Sequence, residues 1–67
     1  MAELGKLYKH KKSGHIVKVI HIGRLQTAFP TTHLDDMQIM VIYYHDFNVW
    51  VRSEAEFNDG RFELYNA

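Results

Sequence analysis

The sequence predicts an all-β domain folded as a small, strongly bent barrel, and three observations carry that expectation. Short runs rich in β-branched and aromatic residues recur along all 67 residues. Turn-forming residues separate most of them. Only one helix-start signal is present, Ser53-Glu54-Ala55-Glu56, whose Ser-x-x-Glu spacing is that of a capping box.

Gly5 to His10 reads as the first strand, and Lys12-Ser13-Gly14 as the turn of a hairpin. His15 to Ile22 follows as the second strand, with Ile16, Ile20 and Ile22 on one parity, Val17, Val19 and His21 on the other, and Gly23 ending it. Arg24 to Asp36 contains Pro30, Thr31, Thr32, Asp35 and Asp36 without periodicity and reads as the longest loop, a place where function often resides. Met37 to His45 is apolar on both parities: Met37, Ile39, Val41 and Tyr43 against Met40, Ile42 and Tyr44. One face of that strand enters the core, and the other calls for a cover, most cheaply a second subunit or a ligand. Asp46-Phe47-Asn48 turns the chain into Val49 to Arg52, which sets Val49 and Val51 against Trp50 and Arg52. One helical turn from Ser53 to Phe57 or Asn58 precedes the reversal at Asp59-Gly60. Arg61 to Tyr65 closes the domain, with Phe62 and Leu64 facing inward.

A chain of this length buries only about 60% of its unfolded surface. No cysteine is present, which excludes a disulfide framework, a thiolate nucleophile and a cysteine-type zinc site. Self-association is the reinforcement left, and a homo-oligomer is expected. The longest uninterrupted apolar run, Ile39 to Ile42, is far short of the about eighteen residues that span a bilayer. No signal-peptide pattern opens the chain, so the expectation is a cytoplasmic protein that does not partner a membrane.

The formal charge of zero combines two unlike halves. Met1 to Arg24 holds six cations and one anion, giving +5, whereas Leu25 onward holds two cations and seven anions, giving −5. Such polarity can steer an anion to one end or let unlike faces of neighbouring copies meet; alternatively the halves interleave and neutralise locally. Bulk nucleic-acid binding is disfavoured, because it usually shows as net basicity.

Catalysis finds no support. No nucleophile motif or phosphate cradle appears, the carboxylates are scattered, and His45-Asp46 reads as a turn-stabilising Asp beside an exposed His. No cofactor is implied and none of the five histidines forms a complete metal set. His15 and His21 sit about 20 Å apart along a strand. His10 and His15 flank the hairpin turn but make half a zinc site, and His33, Asp35 and Asp36 read as solvated loop residues.

Binding has more behind it. Tyr8 and His10 share a parity, as do Trp50 and Arg52, and Tyr43 and Tyr44 offer a phenol to each face of the third strand. Aromatic planes beside cations suit a base plus a phosphate. Candidate ligand-binding residues are therefore Tyr8, His10, Lys11, Lys12, Arg24, Tyr44, Trp50 and Arg52. The alternative is structural: Trp50, Phe57 and Phe62 fill the barrel while Arg52 pairs with Glu54, Glu56 or Glu63.

Gly5-Lys6-Leu7-Tyr8-Lys9-His10-Lys11, Met40-Val41-Ile42-Tyr43, Val49-Trp50-Val51-Arg52 through Phe57, and Arg61-Phe62-Glu63 resemble a small family of bacterial and phage proteins known as domain of unknown function 1653. The likeness spans nearly the whole chain in short patches. It departs from the family at Ser53, where members usually carry Pro, and in the short Asn58-Asp59-Gly60 segment, which looks like the phage-borne branch. The resemblance implies a single SH3-like β-barrel over residues 1–67 and, for a phage protein, residence in the host cytoplasm. It implies no settled activity. Three functions are open: a non-enzymatic, self-associating module that sequesters a small nucleotide-like anion, as an anti-defence sponge would; a protein-interaction module that docks and inhibits a host or phage protein; and single-stranded nucleic-acid binding.

Overall fold

The computed structural model describes residues 2–26 and 37–66. The fold is all-β: one antiparallel sheet of β1 (Leu7–His10), β2 (Ile16–Arg24), β3 (Ile39–His45), β4 (Asn48–Ser53) and β5 (Phe62–Leu64), with α1 (Glu54–Phe57) preceding the last strand. The strands lie in the order β4-β3-β2-β1-β5. The final strand therefore returns to the first, setting Tyr8 opposite Leu64 and His10 opposite Phe62.

Among the described pairings no ladder joins β4 to β5. Aromatic packing draws the two ends of the sheet together instead. Phe57 of α1 stacks on Phe62 of β5 with ring centroids 4.2 Å apart, and the Arg52 guanidinium of β4 lies over the Phe62 ring at 5.9 Å. Val17, Val19, Val41, Tyr8, Tyr43 and Phe57 form the buried core, joined by Ala2 from the N-terminal segment. Tyr8 meets the edge of Phe57 at 5.1 Å, and its hydroxyl accepts a hydrogen bond from the Glu3 amide at 2.8 Å.

Three sequence expectations need correction. The second strand does not stop at Gly23: pairing of Gly23 with Met40 and Arg24 with Ile39 carries β2 to Arg24, outside the loop assigned to it. Its parity is also interrupted. Pairing advances from Val19 to His21 on β2 while moving only from Tyr43 to Ile42 on β3, so Ile20 is the extra residue of a bulge. Before the bulge Val17 and Val19 face the core; beyond it Ile22 lies opposite buried Val41, so the even positions no longer share one face. Finally, Met37 is an exposed turn residue at φ 66°, and β3 begins at Ile39. Residues 27–36, with Pro30, His33, Asp35 and Asp36, lie outside the described residues.

Helix α1 starts where its capping spacing puts it. The Ser53 side chain accepts from the Glu56 amide at 3.2 Å, and Phe57, at the far end of this single turn, is driven into the core. The β3–β4 hairpin closes tightly, His45 opposite Asn48, leaving a two-residue turn of Asp46 and Phe47. Both have positive φ, 54° and 62°, as a type I′ turn requires.

Candidate ligand cleft

The concave side of the curled sheet opens at one end into a cleft of about 280 Å³ to which all five strands or their turns contribute. Its aromatic wall follows from β-pairing. Tyr43 and Trp50 are directly opposite across β3 and β4, and Arg52 is opposite Val41, so Trp50 and Arg52 project from the core side of β4. Val49 and Val51 occupy the other side and are exposed.

Trp50 is 47% exposed, too open to be a core filler. Its indole Nε1 donates to the His45 carbonyl at 3.1 Å, which fixes the ring along the rim. Arg52 is held more deeply. Its Nε donates to the Tyr43 hydroxyl at 3.5 Å and one terminal nitrogen to Glu56 Oε2 at 3.4 Å. The hydrogen bond to Tyr43 raises the guanidinium pKa most; burial opposes this, and Tyr43, Glu56 and Asp59 add further electrostatic support. A guanidinium carries five N–H donors, so this anchored group keeps donors for a ligand.

The opposite wall is imidazole. The β1–β2 connection closes with His10 amide to His15 carbonyl at 2.8 Å and Gly14 amide to His10 carbonyl at 2.7 Å. Gly14 sits at φ +78°, a conformation that suits glycine and lets the chain return within four residues. His10 and His15 therefore flank the mouth. His15 stacks on His45 of β3 with centroids 4.4 Å apart and planes inclined by 30°. His10 packs edge-on against Phe62 at 5.1 Å. Its Nδ1 lies 2.9 Å from the Ser13 hydroxyl and accepts from the Ser13 amide at 3.3 Å, so the neutral tautomer that fits carries its proton on Nε2.

Of the residues the sequence singled out, His10, Trp50 and Arg52 line this cleft together. Lys11 and Lys12 line a second depression beside it, with Gly60 and Arg61, and His10 is shared by both. Tyr8 is a core residue. Arg24 is at the distal end of β2, donating to the Met37 carbonyl at 3.0 Å, and Tyr44 faces outward opposite Lys18 and Val49. These three do not converge on the cleft. The structural alternative holds in part: Phe57 is core and Phe62 packs against it, and Arg52 pairs with Glu56, yet Arg52 still lines the cleft.

Sequence reasoning overlooked Ser13, His15, Tyr43 and His45 as a group. The hairpin turn between His10 and His15 was a usable signal. The meeting of His15 with His45 depends on the β2–β3 register and had none. Among the described residues, no group of three or more His, Asp or Glu side chains is arranged to hold a metal ion. Ion pairs among the described residues all lie in the acidic half, Arg52–Glu56, Arg61–Glu56 and Arg61–Asp59, so the basic hairpin is not neutralised by them. No helix of the described residues is long and apolar enough to cross a membrane. No family model matches this chain, and neither does any curated protein or solved structure.

Proposed function

We propose that the protein is a non-enzymatic binding module that holds a small nucleotide-like anion in the five-strand cleft. The observation that carries this reading is the meeting of a fixed, half-exposed indole with an anchored guanidinium and three imidazoles in about 280 Å³. A planar base has a face to stack on, and an anionic group has N–H donors within the same cleft. The volume is at the lower end of small-molecule sites and suits one nucleotide unit. Following the family resemblance, we read the curled sheet as an SH3-like barrel of the phage-borne branch, acting in the host cytoplasm to sequester a nucleotide signal.

Self-association belongs to the same reading. On the outer side of the sheet Tyr44, Val49 and Val51 form an exposed apolar group next to half-buried Met40 and Ile42, in a chain whose core is small. This face also favours the second reading, a module that docks a host or phage protein. Retention of a stoichiometric protein partner, with no small molecule, would select that alternative. Affinity for single strands that falls steeply with salt would select the third.

Thermal shift against cyclic and linear nucleotides tests the first reading. A ligand at about 100 times its Kd adds about 2.7 kcal/mol of stability. Trp50→Ala is expected to abolish that shift while costing the unliganded fold little, because the indole is half exposed. No shift with any nucleotide in the panel would count decisively against the proposal.

A further inference from the structure

The cleft and the depression beside it share one side chain, His10. On one side of that imidazole stand Trp50 and Arg52; on the other stand Lys11, Lys12 and Arg61 around Gly60. The second depression, about 380 Å³, is the larger, and its basic character is local. Lys11 and Lys12 are exposed and take part in none of the ion pairs among the described residues. Arg61 is partly committed, with Nε 2.9 Å from Asp59 Oδ2 and a terminal nitrogen 3.8 Å from Glu56 Oε2. Its backbone carbonyl accepts from the Lys11 amide at 2.9 Å, tying the lysine turn to the start of β5. The two lysines are thus the free charges, and a fixed backbone connection holds their turn against the rim of the cleft.

Resting on the nucleotide reading of the cleft, we infer that the ligand carries two anionic centres and spans both depressions. Its base stacks on Trp50 and its nearer phosphate meets Arg52. Its further phosphate passes His10, whose Nε2–H is left to donate, and ends on Lys11 and Lys12. The class of ligand is a nucleotide with an extended phosphate chain or a second phosphate-bearing unit; a nucleoside monophosphate fills only half of the site. Two lysines meeting a phosphate act as point charges, so this half adds affinity with little selectivity for geometry, and selectivity rests with the indole and the guanidinium.

Calorimetric titration at fixed ionic strength, with the mono-, di- and triphosphates of each of four nucleosides and with a linear and a cyclic dinucleotide, tests this. The best-bound base is expected to bind about tenfold or more tightly as its diphosphate, triphosphate or dinucleotide than as its monophosphate. In the double variant Lys11→Ala/Lys12→Ala that gain should shrink to about threefold or less, with monophosphate affinity falling by a smaller factor than that of the multiphosphates. Both residues are exposed in a turn, and an unchanged circular dichroism spectrum and melting temperature verify the fold. Equal binding of mono- and multiphosphates, or equal weakening of both by the double variant, overturns the two-centre ligand and leaves the cleft reading intact. Absence of binding by every probe overturns both. Preference for a dinucleotide over the triphosphate identifies the second anionic centre as a separate nucleotide unit; the reverse order identifies it as a phosphate chain.

Discussion

Trp50 is set at the rim of the cleft by its own strand and by the neighbouring one. Alternation along β4 turns it to the core side with Arg52, and the bond from Nε1 to the His45 carbonyl keeps it from collapsing into the core. The parity of Trp50 and Arg52 was legible in the sequence because a strand fixes it. The stacking of His15 on His45 was not, since it depends on which residues of β2 and β3 lie opposite. Phe47 presents the opposite case, a large side chain with no visible partner among the described residues. It is 91% exposed and occupies a left-handed conformation at φ 62°. Such a conformation costs a non-glycine residue about 1–3 kcal/mol. Phe47→Gly relieves it, partly offset by the greater freedom glycine gains when unfolded. A net stabilisation of about 1 kcal/mol in urea unfolding is expected. A destabilised variant would mean that the Phe47 side chain contributes to the fold.

At the scale of the element, local chemistry and tertiary pairing divide the credit. Helix α1 was readable because its start is encoded within four residues: the Ser53 oxygen satisfies the Glu56 amide and its hydroxyl approaches Glu56 Oε1 at 3.4 Å. Ser53→Ala is therefore expected to cost about 1 kcal/mol, measurable by chemical denaturation. The loss should exceed that of an exposed surface change, because Ser53 is buried and the helix delivers Phe57 to the core. An unchanged midpoint would show that the cap is dispensable. The bulge at Ile20, by contrast, left no mark that periodicity could detect. Val17, Val19 and Ile22 reach the same side only because one residue of β2 goes unmatched on β3. Gly23 misled for a related reason: its propensity to end a strand is weak beside the pairing offered by Met40.

For the molecule as a whole, the sheet creates two unlike surfaces. Its concave side holds the core and, where the core ends, the cleft. Its convex side carries Tyr44, Val49 and Val51, 42%, 58% and 60% exposed. Sequence alone identified β3 as apolar on both faces, and that is how it lies: Val41 and Tyr43 inward, Met40, Ile42 and Tyr44 outward. If a second copy covers the outer face, sedimentation at increasing concentration will show an assembly that Tyr44→Lys/Val51→Lys disperses into single chains. A wild-type protein that sediments as one chain at all concentrations would remove self-association from the proposed function. Trp50 is the single tryptophan of the chain and lies at the proposed stacking position, so its fluorescence reports on the cleft directly. Titration with the nucleotide panel is expected to quench it saturably in the wild type and to leave it unquenched in Arg52→Ala, which keeps the fluorophore and removes the anchored cation. Fluorescence unaltered by every nucleotide, or quenching that grows without saturation and equally in both proteins, would contradict the assignment of this cleft as a nucleotide-binding site.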